Sequence, residues 1–360
     1  MCQYLRSCFG FITGHIMSNV GEPCGTGDMK FIGTCKEGLQ CSDGWCDNAT
    51  IAYESDAGDA NDKKDRRWLS SYRYYNWMSR VSSSKKLSEM SIPGTHDSMT
   101  GDTSIGSHTN WCTKIPVNTC CACQSASLWS QLASGIRFLD IRLRCYNNKM
   151  WLYHGSISLG MDFKSVLSTI RKFLRYYPSE TVIMSYQRDH ADYKCGRGFK
   201  RQFQSELGSY MIYAGSRSGI TLGNARGKIV PLDFKNNGGK GLKWWTNWRT
   251  STLENDWEDV TRRMYSYKIS LEGNLQESMG KTSSTYKTVF FITYFSANDC
   301  AFFPYGTKGP SYIARRVNPN LQNWIYWKNR SLRGSGRTNY GIVAMDFPSR
   351  YLTGQILQNN

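Results

Sequence analysis

The sequence from Leu87 onward alternates short apolar segments with amphipathic ones, and no other feature constrains the fold as strongly. Apolar and alternating segments predict strands at 87–92, 136–142, 151–153, 181–186, 228–234, 288–295 and 341–347. Helical spacing predicts helices at 128–134, 163–177, 198–210 and 311–327. Repeated βα units favour an α/β fold with a parallel sheet, most economically a distorted TIM-like (βα) barrel, with a doubly wound open sheet as the alternative.

The residues before this region have a different composition. Residues 1–20 are a possible weak signal or leader segment, because Arg6 supplies a positive charge but glycines interrupt the apolar run. Residues 21–50 are rich in Gly and Cys and are too few to bury a core without disulfides. The polar residues 51–67 predict a linker, which leaves residues 68–360 for the barrel.

Thirteen cysteines are too many for a typical cytosolic enzyme of 360 residues. Eight of them form two clusters, at 24–46 and 112–123, and neither cluster has the paired spacing of a zinc site. Disulfides in an oxidising compartment explain the clusters better, so we predict a disulfide-rich N-terminal module and a secreted or extracellular protein. The odd total leaves at least one thiol free or paired between chains.

The charge is strongly basic. Lys and Arg number 45 against 28 Asp and Glu, a net charge of +17, and residues 71–360 alone carry +20. Such a field attracts nucleic acid, acidic phospholipid or phosphorylated small molecules, and charge alone does not choose among them. We find no nucleic-acid-binding motif, and no apolar stretch of 18 residues that would form a conventional transmembrane helix.

Polar residues gather where the predicted strands end, which is where barrel enzymes place their chemistry. The first strand leads into His96 and Asp97, the second carries Asp140 and Arg142, and the third leads into His154. Later strands end in 187–189, Asp233 and Asp346. Any one of these is weak evidence, since strand-end carboxylates are often helix caps, but their joint placement at one rim indicates a catalytic site.

This set of residues suits phosphodiester cleavage by general acid and base. Two histidines have pKa values near neutrality, so one can take a proton from an attacking hydroxyl while the other protonates the leaving oxygen. Each would use a carboxylate to fix its tautomer. A guanidinium would neutralise the phosphoryl oxygens. The catalytic candidates are His96, Asp97, Arg142, His154 and Asp346.

These residues lie in segments that resemble the X domain of the phosphatidylinositol-specific phospholipase C family: SIPGTHDSM (91–99), GIRFLDIRLR (135–144), LYHGSISL (152–159), PSETVIMSYQRD (178–189), NARGKIVPLDF (224–234), NP (318–319) and YGIVAMDF (340–347). The resemblance implies a barrel that cleaves phosphatidylinositol or glycosyl-phosphatidylinositol anchors to diacylglycerol and inositol 1,2-cyclic phosphate. It implies that His96, oriented by Asp346, is the base, and that His154, assisted by Asp97, is the acid.

The resemblance also implies a substrate-binding set: Asp140, Arg188, Asp189, Arg226 and Asp256. Arg188 enters it as a substitute for a family lysine, because Gln187 occupies that position. Arg142 stands where calcium-dependent relatives have a metal ligand, so the resemblance implies a calcium-independent enzyme with no metal and no cofactor.

The expected partners are the substrate lipid and an anionic phospholipid membrane surface, which a monomer would contact peripherally. Trp244 and Trp245 lie in a segment that could insert at the interface, although a place in the core is the commoner role for such rings. Two alternative functions stay open: another phosphodiesterase, such as a glycerophosphodiesterase, and a non-catalytic lipid- or protein-binding relic of the barrel.

Overall fold

The computed structural model describes most of the predicted barrel. It covers residues 74–101, 122–214, 220–233, 292–296, 310–331 and 339–360, and the backbone of short strands at 17–18, 34–35, 39–42, 45–48 and 242–243. Most of the predicted leader, the linker, the domain boundaries, the irregular segment with Trp244 and Trp245, and Asp256 lie outside the described residues, as do the side chains of most clustered cysteines.

The strands in chain order are β1 (Met17–Ser18), β2 (Thr34–Cys35), β3 (Leu39–Ser42), β4 (Trp45–Asn48), β5 (Ile92–Thr95), β6 (Phe138–Tyr146), β7 (Lys149–His154), β8 (Ile157–Asp162), β9 (Val182–Arg188), β10 (Ile229–Asp233), β11 (Leu242–Lys243), β12 (Ile292–Phe295) and β13 (Ile342–Met345). The α-helices are α1 (Leu128–Ala133), α2 (Phe163–Tyr176), α3 (Gly198–Leu207), α4 (Leu222–Ala225), α5 (Pro310–Ser331) and α6 (Arg350–Leu357).

The main sheet is parallel and follows the order β11-β10-β9-β6-β5-β13-β12. It curls into a partial barrel, with β7 and β8 added antiparallel beside β6. Helices alternate with the strands, as a βα fold requires. The expectation of a distorted barrel is therefore confirmed, and the open doubly wound sheet is not what forms.

Each strand divides its side chains between two apolar layers. On β6, Phe138 packs with the cluster inside the curled sheet, whereas Leu139 and Ile141 pack with the helices outside it. Because side chains alternate along a strand, Asp140 and Arg142 project to the same inner side as Phe138. The polar pair thus stands directly above the apolar interior.

The helix α2 shows why the outer layer forms where it does. Its apolar residues recur at helical spacing and all are buried: Phe163, Val166, Leu167, Ile170, Phe173 and Leu174. Asp162 caps its first turn by accepting a hydrogen bond from the Ser165 amide over 2.9 Å. The prediction for this helix is confirmed to within one residue.

Several elements differ from the sequence expectations. The strand predicted at 87–92 begins only at Ile92, because Leu87–Glu89 form a 3-10 turn. Leu87 and Met90, three residues apart, fall on one face of that turn and pack with the inner apolar cluster. The strand β8 and the helix α6 were not predicted from the sequence.

The cysteines also depart from expectation. The structure contains a disulfide between Cys145 and Cys195, which ties the end of β6 to the segment before α3, and neither cysteine belongs to a predicted cluster. Cys123, which does belong to one, is not in a disulfide. A cysteine outside the disulfides agrees with the odd number of cysteines in the sequence. Within the described residues, no helix is both long and apolar enough to cross a membrane.

Candidate active site

The carboxyl ends of parallel strands share one edge of the sheet, and the candidate residues lie there. His96 and Asp97 follow β5, Arg142 lies on β6, and Asp346 follows β13. The strand β7 runs the other way, but the pairing of Leu143 with Leu152 brings its last residue, His154, back to the same rim. All five predicted catalytic side chains therefore meet.

His96 is held at both ring nitrogens. Its Nδ1 lies 2.9 Å from Asp346 Oδ1, and its Nε2 lies 2.8 Å from an Arg142 guanidinium nitrogen and 3.4 Å from Asp97 Oδ2. The Tyr294 ring meets it edge-on at 5.7 Å between centroids. The ring is buried, so its position is fixed before any substrate arrives.

Two neighbouring carboxylates control the charge of His96. Burial lowers the pKa of His96, but Asp97 and Asp346 outweigh burial and raise that pKa to about 9. A guanidinium only donates hydrogen bonds, so the contact from Arg142 requires the neutral ring, with its proton on Nδ1 toward Asp346. The protonated ring would instead donate from Nε2 to Asp97. The balance between the two forms is set by pH.

Asp97 is the centre of the site. Its backbone has a φ of 40°, a left-handed conformation that is costly for a residue other than glycine. The strain is held in place by the amide of Asp97, which donates to Asp140 Oδ2 over 3.2 Å. Despite burial, which raises it, the pKa of Asp97 is lowered by Arg142 and the two histidines. Asp97 therefore stays a carboxylate.

Arg142 is surrounded by three carboxylates. Its guanidinium lies 2.5 Å from Asp97, 3.2 Å from Asp140 and 3.8 Å from Asp189. Although burial lowers the pKa of Arg142, these carboxylates raise it well above its ordinary value, so the group stays cationic. The carboxylates also hold the planar guanidinium of Arg142 in one orientation, in which it can bind an anionic oxygen.

His154 is more exposed to solvent than His96. Its Nε2 lies 3.3 Å from Asp97 Oδ2, and its side chain keeps 19% of its exposure. The next residue, Gly155, has a φ of 57°, and its amide donates to Asp189 Oδ2. Asp189 therefore positions the turn that carries His154. Burial raises the pKa of Asp189, while Arg142 and the Gly155 amide oppose that rise.

Three further side chains that the sequence did not single out support the site. Gln124 donates to the carbonyls of His96 and Met345 over 2.8 and 2.9 Å. Asn318 donates to the Asp346 carbonyl over 2.8 Å. Cys123 Sγ lies 3.9 Å from Asp97 Oδ2. Asn318 lies in the NP motif and Cys123 in the second cysteine cluster, whereas Gln124 follows that cluster and belongs to no motif.

Two predicted substrate-binding residues are not brought to the site. Arg188 projects to the outer side of β9, where it pairs with Asp192 at 3.4 Å and lies over the Phe199 ring. The register places Gln187, not Arg188, opposite Arg142.

Arg226 precedes β10 and lies at the opposite end of the sheet. Its guanidinium donates to the backbone carbonyls of Met78, Ser179 and Val81, which is a structural role. The expectation that it contacts inositol is not supported by this position.

Fold and site together define a βα-barrel enzyme equipped for general acid–base chemistry. Residues 90–232 match the family model for "Phosphatidylinositol-specific phospholipase C, X domain". Two curated relatives named 1-phosphatidylinositol phosphodiesterase are each 28% identical to this chain. The relative from Staphylococcus aureus strain Newman aligns over 76% of this chain and 88% of its own length, and the relative from Listeria monocytogenes aligns over 79% of this chain and 84% of its own length.

Solved structures agree with this assignment at the level of the fold. The phosphatidylinositol-specific phospholipase C from Listeria monocytogenes superposes with a TM-score of 0.62 at 24% identity, covering 80% of this chain and 99% of that one. A phosphatidylinositol-specific phospholipase C structure from Staphylococcus aureus gives a TM-score of 0.60 at 21% identity, covering 80% of this chain and 98% of that one. The sequence match over residues 90–232 and the shared barrel fold therefore point to the same family of enzymes.

Proposed function

We propose that this protein is a phosphatidylinositol-specific phospholipase C that cleaves phosphatidylinositol, or glycosylated forms of it, to diacylglycerol and inositol 1,2-cyclic phosphate. The observation that carries the proposal is the convergence of two histidine–carboxylate pairs on one guanidinium. The ring nitrogens of His96 and His154 lie 3.4 and 3.3 Å from the same Asp97 oxygen, and Arg142 lies beside them. A phosphodiester bound at Arg142 would thus lie between a base and an acid.

The reaction needs two proton transfers and one displacement at phosphorus. His96 is neutral and is oriented by Asp346. Its Nε2 atom accepts the proton of the inositol 2-hydroxyl. The resulting oxygen attacks phosphorus to close the five-membered cyclic ester, and the bond from phosphorus to the diacylglycerol oxygen breaks. His154 gives its Nε2 proton to that oxygen, and Arg142 neutralises the charge that builds on the phosphoryl oxygens.

The proposed reaction proceeds without calcium or another cofactor. The support is electrostatic: Arg142 already supplies a permanent cation at the centre of the three carboxylates Asp97, Asp140 and Asp189. We therefore expect full activity in the presence of a chelator.

We further propose that the protein acts as a monomer, outside the cell, on the surface of anionic membranes. The net charge of +17 favours such a surface. Beyond Arg142, β6 and β7 continue as a hairpin. We call the tip of this hairpin (residues 144–149), together with the neighbouring Tyr193 and Lys194, the rim hairpin. Tyr146 and Tyr193 stack at 5.2 Å there and are 36% and 44% exposed. Exposed rings beside cations suit a lipid headgroup region.

The test is to incubate the protein with phosphatidylinositol vesicles and excess EDTA and to follow the products by phosphorus NMR. We expect the cyclic phosphate from the wild type and loss of product in His96→Ala and in His154→Ala. The variant His190→Ala is a matched control, because His190 stacks on Tyr153 and belongs to neither of the two histidine–carboxylate pairs. A folded wild type that forms no cyclic phosphate from either plain or glycosylated phosphatidylinositol would overturn the proposal.

A further inference from the structure

A thiol lies inside the site, and the proposed reaction does not use it. Cys123 is 1% exposed, and its Sγ donates to Asp97 Oδ2 over 3.9 Å. The sulfur, an Asp97 oxygen and a ring nitrogen of His154 all lie within 4.8 Å of one another. No proton transfer or displacement in the cleavage of the lipid calls for a sulfur atom at this place, so its position needs another explanation.

Two of the three distances between these atoms are close to those of a tetrahedral zinc site. With zinc–ligand bonds of about 2.0–2.3 Å, adjacent ligands lie about 3.3 Å apart for nitrogen and oxygen and about 3.6 Å apart for sulfur and oxygen. The structure has 3.3 Å between His154 Nε2 and Asp97 Oδ2, and 3.9 Å between Cys123 Sγ and the same oxygen. Since all three atoms lie within 4.8 Å of one another, small side-chain shifts would complete three bonds and leave a fourth position for water.

The ligands are held in place by their own backbone contacts. The Cys123 amide donates to Thr100 Oγ1 over 2.9 Å, and its carbonyl accepts from the Phe347 amide over 3.1 Å. Asp97 is fixed through its amide and Asp140. Arg142 contacts Asp97 through Oδ1, so Oδ2 points to the sulfur and to the imidazoles of His154 and His96. Little reorganisation is therefore needed before a metal binds.

The donor set also selects the metal. One sulfur, one imidazole nitrogen and one carboxylate oxygen suit zinc, whereas calcium and magnesium require oxygen ligands. The thiolate and the carboxylate supply two negative charges that balance a divalent ion despite the nearby Arg142. Of the three ligands, His154 is the one that solvent reaches, because its side chain keeps 19% of its exposure.

We propose that Asp97, Cys123 and His154 bind a zinc ion, and that bound zinc switches the enzyme off. On binding, the Cys123 thiol and His154 Nε2 each release a proton to solvent, and a sulfur–zinc bond and a nitrogen–zinc bond form. The metal takes the Nε2 atom with which His154 protonates the leaving oxygen, and it takes the carboxylate that assists His154. The switched-off state rests on the proposed function, but binding of the metal does not.

The first test follows binding by spectroscopy, using cobalt as a probe for zinc. Cobalt titrated into the wild type should give the intense near-ultraviolet absorption of a cobalt–thiolate bond, and zinc should displace it. Cys123→Ser should lose that band, whereas the control His190→Ala should keep it. A band that is absent from the wild type, or that persists in Cys123→Ser, would overturn the proposal.

A second variant covers the case in which Cys123→Ser does not fold. His154→Ala removes a partly exposed ligand and keeps the thiol, so it should weaken cobalt binding about tenfold or more, which is about 1.4 kcal/mol. An unchanged cobalt affinity in His154→Ala would contradict the site.

The activity test uses phosphatidylinositol vesicles, and each variant is compared with its own activity without metal. Zinc should inhibit the wild type, EDTA should reverse the inhibition, and calcium and magnesium should have no effect. In Cys123→Ser the zinc concentration for half inhibition should rise about tenfold or more. Equal zinc sensitivity in both proteins would overturn the switch. A protein that binds cobalt through Cys123 yet cleaves no lipid would instead overturn the proposed function and leave the metal site standing.

Discussion

At the scale of single residues, the site works by placing charges of opposite sign within hydrogen-bonding distance of one another. Arg142 and His96 share Asp97, and each histidine has a carboxylate beside it. Because these groups are buried together, each one changes the proton affinity of its neighbours far more than it would in water. The pH dependence of the reaction should therefore report these contacts.

Asp97 and Asp346 raise the pKa of His96 to about 9, and this predicts the direction in which kcat/KM changes with pH. A general base must be neutral, so kcat/KM should rise with pH up to about 9 as long as the acid His154 keeps its proton. Asp346→Asn removes one of the charges that raise this pKa, so the rise should move to lower pH while the maximal rate falls. The pH–rate profiles of the two proteins on a water-soluble phosphodiester check this. A rise at the same pH in both would show that another group controls it.

At the scale of elements, the barrel depends on a buried ion pair at the end opposite the site. Arg137, at the start of β6, donates to Glu180 Oε2 over 2.8 Å, and both side chains are completely buried. The guanidinium also donates to the carbonyls of Leu132, Ile136 and Tyr75 and lies over the Phe173 ring. The pair thus joins β6 to the helices α1 and α2 and to the 3-10 helix at Tyr74–Arg80.

Removing one partner of this pair should be costly. Glu180→Gln leaves the Arg137 cation buried without its counter-charge, and the free energy of unfolding should fall by about 3–5 kcal/mol. Asp192→Asn breaks the exposed pair with Arg188 and should cost less than about 1 kcal/mol. Urea unfolding of the three proteins measures the difference. Equal stability of the two variants would show that the buried pair is not a main support of the barrel.

At the scale of the whole molecule, the parallel sheet puts the catalytic rim and the rim hairpin at the same end. The helix α2 runs from that end to the opposite one, because β9 begins after it. A membrane met by the rim hairpin would therefore face the mouth of the site. The opposite end carries Tyr176, which is 43% exposed and thus as accessible as the hairpin tyrosines.

This geometry predicts an asymmetric effect of surface tyrosines. The double variant Tyr146→Ala and Tyr193→Ala should weaken binding to phosphatidylinositol vesicles by about tenfold, because two interfacial rings are lost. Tyr176→Ala should bind as the wild type does. Vesicle sedimentation gives the affinities, and a water-soluble phosphodiester should be cleaved equally by all three proteins. Equal vesicle binding by all three would place the membrane contact elsewhere on the molecule.

Local sequence patterns predicted many of the helices and strands and part of the candidate site. The spacing of apolar residues predicted α2 and most barrel strands to within a few residues, because buried faces repeat with the period of the element. The strand-end position of His96, Asp140 and Arg142 followed from the same reasoning, since parallel strands end at one edge.

Other properties depend on contacts between distant parts of the chain, and only the tertiary structure decided them. His96 and Asp346 are 250 residues apart, so their pairing follows from β5 lying next to β13. Arg188 faces away from the site because the register of β9 turns its neighbour inward. Cys123 remains a thiol beside Asp97 because the fold seats it in the site, whereas Cys145 meets Cys195. A sequence pattern records the period of each element, but which residues meet depends on how the elements are packed.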